Sequence, residues 1–254
     1  MKKKLLAACI AACALALVMG CSSGDDDKPY LPGIEYDAAK WVIKGTTVVH
    51  YTGAEADVRI PDGVTIIGDG AFLGCTSLAS VTIPGSVTSI GNSAFSYCTS
   101  LESVEIPGSV TSIGDWAFSY CTSLESVEIP GSVTSIGETA FTGCTSLASV
   151  TIGDGVKSIE DWAFSECASL ASVTIPASVT SIGESAFSYC TSLESVEIPG
   201  SVKSIGEYSF WGCTSLKEVK YGGTAEQWKK IGIGSNAFRY NAKIYDKEGK
   251  EITE

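Results

Sequence analysis

The chain has 254 residues, of which 44% are hydrophobic and 18% are charged, a balance that excludes wholesale disorder and fits a folded globular or repeat protein. Its 17 basic and 29 acidic side chains give a formal net charge of −12, which opposes binding to the phosphate backbone of nucleic acids. The charge alone leaves cations, basic proteins and simple solubility as explanations of the acidic surface.

The first 20 residues (1–20) predict a cleaved signal peptide. Three lysines precede an apolar run from Leu5 to Met19, which is shorter than the about 20 residues that a membrane-spanning helix needs. The stretch from Leu17 to Cys21 resembles the lipobox of bacterial lipoproteins, and the resemblance implies that Cys21 is acylated and becomes the first mature residue. The alternative is a plain signal peptide followed by an incidental cysteine.

Residues 21–37 are predicted to form a flexible, lipid-anchored stalk. Ser22 to Pro32 contains serine, glycine, three consecutive aspartates and two prolines, a composition that is too polar to pack a core. The acidic residues soon after Cys21 resemble the surface-export signals of some Gram-negative lipoproteins. This resemblance implies an exported protein that is anchored to the bacterial outer membrane and displayed at the cell surface.

An internal repeat of 23 residues dominates the rest of the chain. Three residue types recur with this period and without insertion, as is characteristic of solenoid proteins. They are the cysteines Cys75, Cys98, Cys121, Cys144, Cys167, Cys190 and Cys213, the phenylalanines Phe72, Phe95, Phe118, Phe141, Phe164, Phe187 and Phe210, and the leucines Leu78, Leu101, Leu124, Leu147, Leu170, Leu193 and Leu216.

Each unit predicts one coil of a solenoid. In the second unit, residues 78–83 (L-x-x-V-x-I) indicate a short β-strand, and Pro84 begins a turn. Residues 87–90 (V-x-x-I) indicate a second extended piece, and residues 94–98 (A-F-x-x-C) have the spacing of one helical or 3₁₀ turn. Because one coil cannot bury its apolar side chains alone, the coils are expected to stack about 4.8 Å apart.

The pattern L-x-x-V-x-I-P-x-x-V-x-x-I-G-x-x-A-F-x-x-C resembles the BspA-like leucine-rich repeats of bacterial surface proteins. The match extends from about Asp57 to Gly222, and its departures, such as Gly153 in place of proline, affect turns and ends rather than the core. The resemblance implies a leucine-rich-repeat-like, right-handed repeat solenoid over residues 57–222, with seven to eight coils. It also implies a parallel β-sheet on one face and short helical or 3₁₀ turns on the other.

Both ends of such a stack would expose apolar side chains, so caps are expected over residues 38–56 and 223–254. Residues 41–49 predict a β-hairpin at the N-terminal end. At the C-terminal end, the sequence T-A-E-Q from Thr224 has the form of a capping box and predicts a short helix, and residues 243–253 predict a terminal hairpin.

Residues suited to catalysis or metal binding do not occur in a matching pattern. The repeat cysteines occupy one interior position of every coil, where neighbours would be about 4.8 Å apart, whereas a disulfide needs Cβ atoms about 3.8 Å apart. No His, Asp or Glu recurs in register with these thiols, so neither a metal site nor a cofactor is predicted. The single histidine, His50, is expected to be a packing or surface residue. We therefore expect a protein that is not an enzyme.

The solvent-facing side of the predicted strands is one candidate binding surface. Glu105 and Glu128 should be direct neighbours on adjacent coils, with Glu102 and Glu125 close by, an arrangement that would suit a cation or a basic protein. The alternative is a soluble surface whose sequence drifts between repeats.

The predicted corner before each Ala-Phe pair is the second candidate. An acidic or polar residue stands there and is expected to cap the short helix: Asn92, Asp115, Glu138, Asp161, Glu184 and Glu207. Aromatic residues lie beside it, namely Trp116, Trp162 and Tyr208 in alternate coils, with Tyr97, Tyr120 and Tyr189 nearby. Because other units have Ser, Thr or Gly at these positions, the rings are either exposed binding anchors or padding of the corners.

The leading hypothesis is a surface-tethered, adhesin-like interaction module that binds a host or neighbouring-cell protein, because the BspA-like resemblance implies attachment. A carbohydrate-binding protein that uses Trp116, Trp162 and Tyr208 as a stacking platform is the alternative. A structural spacer without a ligand is a further one. The protein is expected to be monomeric and to contact the membrane only through its lipid anchor.

Overall fold

The computed structural model describes residues 36–238 and 242–253. The predicted signal peptide, Cys21 and nearly all of the predicted stalk lie outside the described residues.

Two β-sheets run the length of the solenoid, because each coil contributes one short strand to each sheet. The ten strands of sheet A are β1 (Trp41–Lys44), β2 (Thr47–Tyr51), β4 (Ile66–Ile67), β6 (Ser89–Ile90), β8 (Ser112–Ile113), β10 (Ser135–Ile136), β12 (Ser158–Ile159), β14 (Ser181–Ile182), β16 (Ser204–Ile205) and β18 (Gly232–Ile233). The nine strands of sheet B are β3 (Asp57–Arg59), β5 (Ser80–Thr82), β7 (Ser103–Glu105), β9 (Ser126–Ile129), β11 (Ser149–Ile152), β13 (Ser172–Thr174), β15 (Ser195–Ile198), β17 (Glu218–Tyr221) and β19 (Lys243–Tyr245).

Neighbouring strands of both sheets are parallel and, in the repeats, are paired in register with the 23-residue period. Val81 pairs with Val104 in sheet B, and Ile90 pairs with Ile113 in sheet A. The exception is the antiparallel hairpin of β1 and β2. The predicted solenoid is confirmed, with about nine turns, one for each strand of sheet B.

Columns of identical side chains fill the interior. The phenylalanine rings of adjacent coils stack with centroids 4.9–5.5 Å apart, and all seven are fully buried. The valines, isoleucines and leucines of the repeat are at most 7% exposed. Burial of these columns between coils is therefore the main stabilising contribution, as expected for a solenoid.

The corner that contains each Ala-Phe pair differs in detail from the expected helical turn. Ser93 and Tyr97 have φ angles of 53° and 60°, and this left-handed conformation repeats in the other coils. A helix needs consecutive right-handed residues, so the segment forms tight turns instead. The N–H of Phe95 donates to the carbonyl of Ala117 in the next coil at 2.7 Å. The corner thus adds a third ladder of hydrogen bonds between coils.

Within the described ranges, one α-helix occurs, α1 (Ala225–Trp228). Its capping box is present: the Thr224 side chain accepts from the N–H of Gln227, and the Gln227 side chain accepts from the N–H of Thr224. This helix leads into β18 and β19, which extend both sheets beyond residue 222.

Aromatic side chains cover both ends of the phenylalanine column. At the N-terminal end, Trp41 and Tyr51 pack on Phe72 with ring centroids 5.8 and 5.2 Å away. At the C-terminal end, Phe238 stacks on Phe210 at 5.0 Å. The apolar interior is therefore closed at each end by rings from outside the repeat.

Glu55 connects the N-terminal hairpin to the loop that follows it. Its carboxylate accepts hydrogen bonds from the Lys40 ammonium and the Tyr51 hydroxyl. The bond from Lys40, followed by that from Tyr51, lowers the pKa of Glu55 to about 2. This carboxylate therefore stays ionised under most conditions.

Candidate interaction surfaces

Four exposed glutamates lie side by side on the outer face of sheet B. Glu105 is the direct ladder partner of Glu128, and both side chains point to solvent. Glu102 and Glu125 precede the same two strands, and the N–H of Glu125 donates to the carbonyl of Glu102 at 3.1 Å. We call these four residues the acidic strand face. The structure thus brings together all four glutamates that the sequence singled out.

The acidic strand face is not neutralised within the described part of the chain, where no salt bridge involves its four carboxylates. Further along the same sheet, the Lys217 ammonium lies 3.7 Å from the Glu194 carboxylate. Similarly, Lys220 lies 3.9 Å from Glu197. Adjacent like charges on a sheet are destabilising, so the acidic strand face carries a small cost in stability. The glutamates that lie beside Lys217 and Lys220 avoid this cost.

A groove of about 590 Å³ lies at the C-terminal end of sheet B, beside the paired columns. Pro199, Tyr221, Tyr245, Asp246 and Lys247 are among the residues that line it. This groove was not predicted from the sequence. The available signal was the replacement of Ile-Pro by Tyr221-Gly222, which marks the end of the regular repeat.

The aromatic residues at the corners are partly exposed but do not form one contiguous cluster. Trp162 is 42% exposed and Tyr208 is 36% exposed, whereas Trp116 is less exposed than either. Because they lie in alternate coils, the structure aligns these three residues without bringing them into contact. Tyr189 in the intervening coil is 50% exposed, and Trp211, which the sequence analysis missed, packs edge-on against Tyr208 at 5.5 Å.

The acidic or polar residue before each corner was expected to cap a short helix, but it does not do so. Instead, the Asp115 carboxylate accepts from the backbone N–H of Glu138 in the next coil at 2.9 Å, and Asp161 likewise accepts from Glu184 at 2.6 Å. The Asn92 side chain makes the same bond to Asp115. The short side chains of this column therefore connect successive coils, which a sequence read one coil at a time does not reveal.

The repeat cysteines occupy the predicted interior position, and six of the seven are fully buried. Each of these six thiols donates to the carbonyl of a phenylalanine in the preceding coil, as Cys98 does to Phe72 at 3.1 Å. Burial raises the pKa of the Cys167 thiol to about 12. The six buried thiols are thus hydrogen-bonded packing groups, and Cys75 is the one repeat cysteine of the described residues that is partly accessible.

His50 lies in β2 opposite Val42 and is partly exposed. Over residues 36–238 and 242–253, no group of three His, Cys, Asp or Glu side chains is arranged to hold a metal ion. In the same ranges, no helix has the length and apolar character needed to cross a bilayer.

Comparison with known proteins shows that the chain is similar to leucine-rich repeat proteins. The family described as the BspA type leucine rich repeat region matches residues 50–141 and 117–245 in six copies. A leucine rich repeat protein from T. pallidum (TpLRR) is 30% identical, with a TM-score of 0.50 over 58% of this chain and 82% of that chain. No curated protein matches the chain.

Two other solved structures are more distant. A leucine-rich repeat protein from Bacteroides ovatus ATCC 8483 is 25% identical, with a TM-score of 0.43 over 84% of this chain and 69% of that chain. A leucine rich cell surface protein from Faecalibacterium prausnitzii A2-165 is 22% identical, with a TM-score of 0.33 over 82% of this chain and 98% of that chain.

Proposed function

Because the chain belongs to the BspA-type leucine-rich repeat family, we propose that it is a cell-surface, adhesin-like module that binds a protein of the host or of a neighbouring cell. Leucine-rich repeat proteins generally bind proteins and are typically scaffolds rather than enzymes, because a stack of coils presents an extended, rigid surface. Membership of this family also suggests an exported protein. The proposal includes attachment to the outer membrane through an acylated Cys21.

The observation that carries the proposal is the acidic strand face. Its four carboxylates lie on rigid, hydrogen-bonded backbone, and no basic side chain of the described residues neutralises them. A partner with a complementary basic patch would remove the repulsion between them and would be steered toward the surface by its field. The absence of a grouped metal-binding set among the described residues makes a basic protein a better candidate than a bound metal ion.

A binding screen of the full exported protein against extracellular-matrix proteins tests this proposal. Binding should weaken at least about tenfold between low salt and roughly 300 mM salt, because exposed charge interactions are screened. Replacing Glu102, Glu105, Glu125 and Glu128 by glutamine should remove the same contribution. A control variant with four exposed acidic residues neutralised elsewhere should bind nearly as the unmodified protein does: Glu138→Gln, Asp154→Asn, Glu207→Gln and Glu248→Gln.

Two results would contradict the proposal. The absence of binding to every protein of the panel at both salt concentrations would favour a structural spacer. Binding that the control variant weakens as much as the glutamine variant does would show that net charge, rather than the acidic strand face, is recognised.

Anchoring is tested separately by the substitution Cys21→Ser in the producing bacterium. Without a cysteine to acylate, the protein should move from the membrane fraction to the soluble fraction. Unchanged membrane association would contradict the lipid anchor without affecting the proposal of protein binding.

A further inference from the structure

Three rings of the corner, each at least partly exposed, stand on a backbone conformation that disfavours bulky side chains. Trp116, Trp162 and Tyr208 have φ angles of 61°, 61° and 57°, in the left-handed region where glycine is preferred. Gly70 occupies the same position of the first coil with a φ of 62°. The left-handed conformation costs a residue with a side chain about 1–2 kcal/mol, so glycine would suit these turns better. The exposure of the rings indicates that the core does not require them either.

In the neighbouring column of tyrosines at the same corner, one face of the ring packs on the next coil while the ring remains partly exposed. A Cβ atom on Gly212 would lie 2.7 Å from the ring of Tyr189, and a Cβ atom on Gly143 would lie 2.6 Å from the ring of Tyr120. Each ring therefore covers the backbone of the following coil. The half-exposed ring of Tyr189 turns its other side to solvent.

The burial of the small residues that lie one coil after each tryptophan indicates the same arrangement. Thr139 and Ser185 follow Trp116 and Trp162 by one coil and are only 9% and 3% exposed, although they lie in surface turns. Ser93 has the same position but follows a glycine, and it is more exposed. We infer that each tryptophan lies over the small residue of the next coil.

These rings repeat at a regular distance along the solenoid. The interior phenylalanine rings step by 5.1–5.5 Å per coil through this part of the chain, so residues two coils apart are separated by about 10 Å. Trp116, Trp162 and Tyr208 therefore form a row along the solenoid with two such intervals. A ligand that runs parallel to the solenoid axis would meet one ring in every second coil.

The acidic residues beside the rings limit which kinds of ligand can bind there. Asp115, Asp161 and Glu207 immediately precede the three rings. Carboxylates repel phosphates, sulfates and acidic sugars, but they accept hydrogen bonds from hydroxyl groups. The surface thus combines flat apolar platforms with hydrogen-bond acceptors and excludes anions.

We propose that the row of Trp116, Trp162 and Tyr208 binds a neutral linear polysaccharide along the solenoid axis. Each ring stacks on the apolar face of a sugar, and the neighbouring carboxylates accept hydrogen bonds from sugar hydroxyls. The equal intervals of the row match a polymer with its own translational repeat. This site is separate from the acidic strand face and does not depend on the protein-binding proposal.

A basic peptide is the competing ligand, since cations also bind aromatic rings. Oδ1 of Asp115 and of Asp161 already accepts the backbone N–H of Glu138 and of Glu184, which leaves one oxygen for a sugar hydroxyl but opposes a two-oxygen contact with a guanidinium group. A peptide would also need basic residues at regular intervals to use all three rings. The polysaccharide accounts for the repeat more simply.

The test is affinity electrophoresis of the full exported protein through gels that contain neutral β-1,4-, β-1,3- or α-1,4-linked glucans, mannans or xylans, with polygalacturonate and polyarginine as charged probes. We expect retardation by at least one neutral polysaccharide and unchanged affinity between low and roughly 300 mM salt, because a neutral ligand makes no screened charge contacts. Replacing Trp116, Trp162 and Tyr208 by glycine should weaken the affinity at least tenfold. Glycine fits these turns, so this variant should remain folded although it loses the packing of the rings on the next coil, and circular dichroism checks this before the assay.

The glutamine variant of the acidic strand face is the matched control and should keep its retardation. Retardation by none of the neutral polysaccharides would overturn the proposal. Equal retardation of the folded glycine variant would also overturn it. Salt-sensitive binding to polyarginine that the glycine variant loses would assign the row to basic peptides instead.

Discussion

In most coils, the glycine that follows the strand of sheet A lies against the backbone of the preceding coil, and this contact leads to a specific prediction. A Cβ atom on Gly137 would lie 2.4 Å from the backbone nitrogen of Asp115 and 2.4 Å from the carbonyl carbon of Gly114. Both contacts are with the backbone of the preceding coil, so no flexible side chain can yield. The N–H of Gly137 also donates to the carbonyl of Ile113 at 2.9 Å. Gly137→Ala should therefore separate two coils locally.

The magnitude follows from these two contributions. Loss of the hydrogen bond costs about 1 kcal/mol and the overpacking costs about 1–3 kcal/mol, so the free energy of unfolding should fall by about 2–4 kcal/mol. The chain itself contains one such local separation of two coils, because Glu160 occupies the position that is equivalent to Gly137 in the next coil. In that coil, the bond between the Lys157 N–H and the Thr134 carbonyl lengthens to 3.4 Å. The fold tolerates this separation, which keeps the expected cost within a few kcal/mol.

Gly108 provides the matched control. A Cβ atom there would have no heavy atom within 4 Å, and its φ is not positive. Gly108→Ala should leave stability unchanged or raise it by up to about 1 kcal/mol, because alanine restricts the unfolded chain. Urea denaturation followed by circular dichroism measures both effects. Similar unfolding midpoints for the two variants would refute the reasoning that the coils meet at the sheet A glycines.

Three further predictions follow from single contacts. Glu160→Gly should raise the free energy of unfolding by about 1 kcal/mol, because glycine would let the N–H of this residue donate to the Ile136 carbonyl, as Gly137 does to Ile113; a lower urea midpoint would contradict this. In the native protein at mildly alkaline pH, a thiol reagent should modify Cys75 first and the buried repeat cysteines only after denaturation, whereas rapid modification of all seven would show that the interior is open. The folded pKa of Glu55, about 2, is below its ordinary value of 4.5, so its stabilisation should be complete above about pH 4.5 and lost as the pH falls through about 2. Glu55→Gln should make acid unfolding less steep in this range, and an unchanged pH dependence would contradict the assignment.

The solenoid could be predicted from the sequence because its core depends on residues that repeat without variation. Each Phe, Cys and Leu column has one residue type, and each coil buries it in the same way. The corner was harder to predict. Ser93, Trp116 and Tyr97 have no intrinsic preference for left-handed φ, so the spacing A-F-x-x-C indicated a helical turn. The conformation results from hydrogen bonds to the next coil, which no local pattern encodes.

The candidate surfaces were predictable to different extents. The pairing of Glu105 with Glu128 follows directly from the 23-residue period once the strands are parallel. The contact of Trp211 with Tyr208 was not predictable, because Trp211 replaces a residue that is usually a buried serine. The local separation of two coils at Glu160 was not predicted either. Glutamate replaces glycine in one coil only, and this replacement is apparent only when that coil is compared with its neighbours.

The most direct test of the central claim, that the acidic strand face steers a basic protein partner, is the association rate constant measured at two ionic strengths. We would measure it for whichever matrix protein binds in the screen, with the unmodified protein and with the variant that has glutamine at positions 102, 105, 125 and 128. The rate of the unmodified protein should fall steeply with salt, and the rate of the variant should be lower at low salt and nearly independent of salt. Equal rates with equal salt dependence for the two proteins would contradict the account.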